Sequence, residues 1–184
     1  MRTTTKDARA SQAFSKINGA PASRRAAALA DRIEECAELL AAFAEGLSEA
    51  EWRTPVPEGR KDGRSVGVIV HHVASVYPVE INLAQSVAAA KPVTDITWDV
   101  VAELNAEHTE EHEEISKAAA LELLLWNSRA AASAVRGFTD EELDQAAPFS
   151  LNSDAPVTAQ FVIEDHALRH SWHHLARIRK ALRR

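Results

Sequence analysis

Hydrophobic residues recur along the chain at the three-to-four-residue spacing of amphipathic helices, in four long stretches separated by polar connections. The first stretch begins after Ser23, a residue type that caps helices, and continues to Phe43, with Gly46 as the stop. The second stretch covers residues 65–90, and valine and isoleucine dominate its apolar positions. Both stretches are predicted to form long helices.

The second half of the chain repeats this pattern after a short acidic helical stretch at residues 97–114. A third long helix is predicted for residues 117–135 and a last one for residues 156–182. The connections at residues 47–64 and 146–156 contain proline, glycine or small polar residues and are predicted to be loops. The fold class predicted is all-α: a four-helix bundle of up-and-down type, with long connecting loops and a short extra helix between helices two and three.

Length and composition limit the remaining possibilities. The 184 residues suit a single domain at 22–184, preceded by a flexible N-terminal arm at 1–21 that lacks any periodicity. The formal net charge of -6 predicts no nucleic-acid partner and no affinity for anionic membranes. No apolar run approaches the roughly 18 residues of a membrane span. Cys36 is the only cysteine, which excludes an intramolecular disulfide, and a cytoplasmic location is expected.

Histidines are the residues that carry candidate chemistry, because pairs four apart place two imidazoles on one helical face. Eight histidines are present, and three pairs have this spacing: His108/His112, His166/His170 and His170/His174. Spacing alone does not choose among them. The first pair lies among glutamates, which is typical of a solvated helix. On a helical wheel of the last helix, His166 and His173 fall among charged residues and are expected to face water.

The wheel leaves His170 and His174 in a column beside the apolar stripe of the last helix, where they can face a pocket. On helix two, His71 falls opposite the apolar face, whereas His72 falls at its edge. Three inward imidazoles from two helices, His72, His170 and His174, are the donor set of a catalytic zinc site. The alternative is a set of histidines that only form hydrogen bonds within the bundle.

Two further polar residues are candidates on weaker grounds. Glu80 falls near the centre of the apolar face of helix two, where a carboxylate needs a partner. It either contacts the metal ligands or a substrate, or it pairs with an arginine such as Arg129. Asn105 is a candidate substrate-binding residue, because the acidic helix can lie over one mouth of the bundle.

Two motifs resemble those of the DinB-like superfamily of metalloenzymes. Residues 65–72, Ser-Val-Gly-Val-Ile-Val-His-His, match a family segment whose final histidine is the first metal ligand. Residues 170–174, His-Ser-Trp-His-His, match the family pattern H-x-x-x-H. The resemblance extends over about residues 25–182. It implies a four-helix bundle, often a homodimer, with a divalent metal on His72, His170 and His174. Zinc and nickel both suit imidazole ligands.

The resemblance also implies candidate activities on small-molecule substrates. Members of the family include metal-dependent transferases that act with low-molecular-weight thiols, and a maleylpyruvate isomerase that uses mycothiol. The first hypothesis is therefore a metal-dependent enzyme that acts with such a thiol. The second is a metal-dependent hydrolase in which metal-bound hydroxide attacks the substrate and Glu80 or Asp165 assists. The third is a non-catalytic bundle that binds metal or a small ligand.

Overall fold

The fold is a helical bundle in a computed structural model that describes residues 23–57 and 63–184. The predicted flexible arm, residues 1–21, lies outside the described residues. In chain order the helices are α1 (Arg24–Glu45), α2 (Glu49–Trp52), α3 (Val66–Ala88), α4 (Trp98–Glu111), α5 (Lys117–Arg136), α6 (Asp140–Asp144), α7 (Ala159–Val162) and α8 (Arg169–Leu182). A π-helical segment, Ile163–Leu168, joins α7 to α8, so that residues 159–182 form one last long helix. The predicted four-helix bundle and its short extra helix, α4, are confirmed.

Hydroxyl side chains define where the long helices begin. Ser23 accepts a hydrogen bond from the amide of Ala26 at 3.0 Å, and Ser65 accepts one from Val68 at 3.3 Å. Ser116 caps α5 in the same way, and Thr158 caps the last helix. Each cap satisfies an amide that has no carbonyl partner in the first turn of its helix. The helix starts that depend on serine were therefore readable from the sequence.

The four long helices pack around one apolar core. α5 lies between α1 and α3, and the last helix contacts α3 and α1 on the other side. α1 and α3 are the first two long helices in chain order. Given these contacts, they lie across a diagonal of the bundle rather than side by side. The long connection between them makes this crossing possible, and α2 packs against the bundle within it, with Trp52 buried.

α3 runs unbroken through a proline, Pro78. Proline has no amide hydrogen, so the carbonyl of Ala74, four residues earlier, lacks its usual helical donor. Asn127 on α5 supplies the replacement, because its side-chain Nδ2 donates to the Ala74 oxygen at 2.8 Å. A neighbouring helix thus satisfies the buried backbone group that the proline leaves open.

A small hairpin replaces the loop predicted at residues 146–156. β1 (Ala146–Phe149) pairs antiparallel with β2 (Ala155–Thr158), and Ala147 lies opposite Val157. The last helix therefore begins at Ala159, not near Pro156. Pro148 and Pro156 face each other in this hairpin. Because proline has no amide hydrogen to donate to a neighbouring strand, these residues indicate a loop rather than a strand when only the sequence is considered.

α3 is the most apolar of the long described helices. Its best 18-residue window has a mean hydropathy of 1.2, and among the described helices it alone is long and apolar enough to cross a membrane. However, 67% of that window is buried inside the protein. The apolar surface of α3 is thus accounted for by its central position in the bundle core.

Candidate metal centre and cavity

The structure brings the three predicted ligand histidines together. α3 supplies His72, and α8 supplies His170 and His174 from successive turns. The Nε2 atom of His170 lies 3.3 Å from Nε2 of His72 and 2.8 Å from Nε2 of His174. His72 and His174 are buried, with 6% and 4% of their surfaces exposed, and His170 is half-buried. We call this group the first trio.

The first trio has the properties that a divalent cation requires of its ligands. Its ligating atoms all lie within 4.8 Å of one another. Three imidazole nitrogens on a tetrahedral zinc ion, each bonded at about 2.0–2.1 Å, stand about 3.3 Å apart. Burial, reinforced by the nearby His170, lowers the pKa of His72 to about 2 and also lowers the pKa of His174. Both rings therefore remain neutral near pH 7, which is the form that binds metals. The donor set fits a divalent metal.

Glu80 contacts the first trio through the ring of His170. Its Oε1 lies 2.8 Å from Nδ1 of His170, and only 7% of the residue is exposed. A carboxylate accepts a hydrogen bond from the protonated Nδ1, which leaves the lone pair of Nε2 directed at the centre of the trio. Of the two alternatives for Glu80, the structure shows the contact to a histidine of the first trio and not the ion pair with Arg129.

A cavity of about 440 Å³ opens beside the first trio. Its walls are mainly apolar, and most of its apolar residues come from α3 and α4: Val76, Val79, Leu83, Trp98, Val101 and Leu104. Glu80, Asn105 and Asp165 also line it, so the weaker candidates all face the same space. Asp165 is held by Arg169, whose Nε donates to its Oδ1 at 2.7 Å.

The helical wheels, and the glutamates around His108 and His112, gave wrong predictions for the surroundings of several other histidines. His71 is buried, and its Nδ1 lies 2.9 Å from Nε2 of His108. His108 and His112 are half-buried rather than solvated, and so is His166, although His173 is exposed as predicted. The reason is that the end of α4 places His108 and His112 against His71, and that the ring of Phe149 lies against His166. The wheel of one helix cannot show what another helix places against it.

Comparison with known proteins assigns the chain to a family. The sequence profile of the DinB superfamily matches residues 32–178, and the chain belongs to that superfamily. No curated protein sequence matches it. Among solved structures, it is similar to YfiT from Bacillus subtilis, described as a probable metal-dependent hydrolase with an unusual four-helix bundle topology. The two chains are 19% identical, with a TM-score of 0.68 and 84% of each chain covered.

A second similar structure corrects the prediction about partners. It is the colibactin self-resistance protein ClbS in complex with double-stranded DNA, with 17% identity and a TM-score of 0.64. The similarity covers 85% of this chain and 94% of ClbS. The net charge of -6 had predicted the exclusion of nucleic acid. That exclusion was wrong, because a protein with this fold binds DNA and net charge does not describe how charge is distributed over a surface.

Proposed function

We propose that this protein is a metal-dependent enzyme in which His72, His170 and His174 hold one divalent cation, zinc or nickel, and which acts with a low-molecular-weight thiol such as mycothiol. The observation that carries the proposal is the convergence of three mostly buried imidazoles at one side of an apolar cavity of about 440 Å³. Such a cavity has the size and lining of a small-molecule site.

The residues around the cavity have separate tasks in this proposal. A divalent cation on three neutral imidazoles keeps its charge and, when bound, supplies the Lewis acidity that favours the ionised form of a thiol. Glu80 holds the proton on Nδ1 of His170 and so orients that ring. The apolar side chains of α3 and α4 exclude water from the reacting groups, which strengthens electrostatic interactions there. Asn105 offers a polar contact to the substrate from α4.

The partners of the two carboxylates favour a thiol over water as the nucleophile. A bound divalent cation would lower the pKa of water to about 7, but attack by water would still gain from a base, and the candidates Glu80 and Asp165 are engaged by His170 and Arg169. A thiol has an ordinary pKa near 8.5 and ionises beside a cation with no such base. We therefore propose that Glu80 and Asp165 position other groups and do not transfer protons to the substrate.

Hydrolysis is the second candidate, and the description of YfiT as a probable metal-dependent hydrolase favours it. A non-catalytic bundle that binds metal or a small ligand is the third possibility. The cytoplasmic location and the homodimer stay predictions as well. Cell fractionation and light scattering of the purified protein would test them.

The experiment compares thiol-dependent turnover with hydrolysis in one preparation. Metal-stripped protein is reloaded with zinc or nickel and assayed with a panel of thiols and an electrophilic aryl halide, and then with ester and amide substrates without thiol. We expect thiol-dependent turnover that His72→Ala abolishes. Gln85→Ala, an exposed residue on the same helix, should keep it.

Each other outcome identifies an alternative. Turnover of esters or amides without a thiol, lost in His72→Ala, would replace the proposal with a hydrolase. Tight metal binding without turnover on either panel, together with a lower melting temperature in His72→Ala, would indicate the non-catalytic bundle. Metal binding that His72→Ala and His170→Ala leave unchanged would overturn the metal centre itself.

A further inference from the structure

A second group of three histidines lies beside the first trio. His71 comes from α3, and His108 and His112 come from the C-terminal end of α4. The ring centroids of His71 and His112 are 4.0 Å apart, and those of His108 and His112 are 4.6 Å apart. One ligating nitrogen from each ring lies within 4.8 Å of the other two. We call this group the second trio.

Hydrogen bonding among the three rings does not account for the second trio. The contact between His71 and His108 uses one nitrogen of each ring. The other nitrogen of His108, Nδ1, is buried and has no hydrogen-bond partner in the described part of the chain. A buried polar nitrogen without a partner costs free energy, so hydrogen bonding leaves the second trio incompletely satisfied.

The rings of the second trio are in a state that suits metal binding. Burial, with a smaller contribution from neighbouring histidines, lowers the pKa of His108 to about 4, and burial also lowers the pKa of His71. The only carboxylate within 4 Å of the three rings, among the described residues, is that of Glu111, 3.9 Å from Nε2 of His112. Burial therefore favours the neutral form of His71 and His108, which is the form that donates a nitrogen lone pair to a metal.

We propose that His71, His108 and His112 form a second divalent-cation site, distinct from the metal centre of the first trio. The site takes a cation that favours imidazole, with zinc as the first candidate. His71 and His72 are consecutive residues of α3, and each belongs to a different trio. The rings of His72 and His108 have centroids only 5.5 Å apart, so the two sites are neighbours.

The position of the second trio assigns it a structural task. α4 has no buried residue, and its start is held by the indole of Trp98, which donates to the carbonyl of Leu151 at 3.2 Å. Yet α4 forms one wall of the cavity through Trp98, Leu104 and Asn105. A cation shared by α3 and α4 joins this wall to the bundle core at the opposite end of α4. The second site thereby fixes the shape of the cavity without entering its chemistry.

Metal stoichiometry tests the proposal directly. Metal-stripped protein is titrated with zinc against a chromophoric chelator, and circular dichroism checks that each variant is folded. We expect about two equivalents for the natural protein and about one for His108→Ala or His112→Ala, because each loses a ligand of the second trio only. His173→Ala, an exposed histidine outside both trios, is the matched control and should keep two equivalents.

The same titration separates this proposal from the proposed function. His170→Ala should lose the first equivalent and keep the second. One equivalent in the natural protein, removed by His170→Ala and unaffected by His108→Ala, would overturn the second site and leave the first intact. Two equivalents retained in both His108→Ala and His112→Ala would overturn it as well.

Hydrogen exchange supplies a readout that does not depend on activity. Zinc added to the natural protein should slow exchange of the α4 amides, and this protection should be lost in His112→Ala and kept in His170→Ala. His112 lies at the C-terminal cap of α4, so its replacement leaves the interior of the helix unchanged. Equal exchange of α4 with and without zinc would contradict the structural task.

Discussion

Glu80 is a buried carboxylate whose contact with His170 predicts how tightly the first trio binds metal. Replacing it with glutamine keeps its size but removes the negative charge that holds the proton on Nδ1 of His170. We expect Glu80→Gln to weaken zinc binding about 10- to 100-fold, the usual effect of losing the partner of a ligand histidine. Competition against a chelator measures this affinity.

Glu122→Gln is the control for this substitution, because Glu122 is an exposed carboxylate on α5. It should leave the affinity unchanged. An unchanged affinity in Glu80→Gln would mean that the contact with His170 does not support metal binding.

The sequence identified the residues of the first trio but not those of the second. His72, His170 and His174 lie on helices whose apolar faces are evident, and the family motifs select the same three residues. His71, His108 and His112 come together only because α4 packs against the polar side of α3. A helical wheel of α3 alone predicts that this side is exposed to solvent. The spacing of His108 and His112 was a usable signal, but the surrounding glutamates concealed it.

The hydrogen bond from Asn127 to the Ala74 carbonyl couples α5 to the proline in α3. We expect Asn127→Ala to lower the free energy of unfolding by roughly 1–3 kcal/mol, because it leaves a buried carbonyl without a donor. In a Pro78→Ala background the restored amide can donate to that carbonyl. Asn127→Ala should then cost clearly less, and chemical denaturation of the natural protein, the two single variants and the double variant measures the difference.

The double-mutant cycle carries its own control. Any packing lost with the Asn127 side chain is lost in both backgrounds and cancels in the comparison. Equal costs in the two backgrounds would show that Asn127 stabilises the bundle for a reason unrelated to Pro78.

Gly67 marks the point at which α3 approaches the buried Trp52 of α2. A Cβ atom at this position would lie 2.6 Å from two ring atoms of Trp52. The indole cannot move freely, because it is buried and its Nε1 donates to the carbonyl of Ile115 at 3.1 Å. We expect Gly67→Ala to cost about 1–3 kcal/mol despite the better helix propensity of alanine.

Gly46→Ala is the matched comparison, because its Cβ would approach no atom closer than 3.7 Å. It should be nearly neutral in a urea unfolding experiment. If both glycine variants have the same stability, the close approach to Trp52 does not constrain α3.

Helices were predicted well where local signals act alone. Ser23, Ser65 and Ser116 each cap a helix that the apolar spacing had already indicated. The hairpin of β1 and β2 depends instead on contacts distant in the chain, such as the pairing of Val93 with Phe149. The π-helical segment before α8 is equally invisible, since its backbone hydrogen bonds differ from those of an α-helix while its residues do not.

Two buried ionisable groups in the core of the bundle should make the protein less stable at alkaline pH. Burial raises the pKa of the Cys36 thiol from 9.0 to about 12, and it also raises the pKa of Tyr77. Above pH 9 the unfolded chain therefore loses protons that the folded protein keeps. The free energy of unfolding should fall as pH rises, by about 1.4 kcal/mol per pH unit for each such proton.

Cys36→Ala isolates the first of these contributions. It should remove the decline that begins near pH 9 and leave the decline due to Tyr77, which begins near pH 10. Urea unfolding between pH 8 and pH 10.5, in the presence of a chelator, provides the measurement. Parallel pH profiles for the two proteins would show that Cys36 ionises in the folded state.

The diagonal placement of α1 and α3 determines the order in which a nascent chain can assemble. α1 can pack against its partners only when α5 and the last helix have been synthesised. α3 and α4, by contrast, follow one another in the chain and supply the whole second trio. A ribosome has therefore supplied every donor of the second trio once it passes His112, long before it reaches His174. Cation capture by the second trio can begin during synthesis, and the first trio is completed only when the last helix closes the bundle.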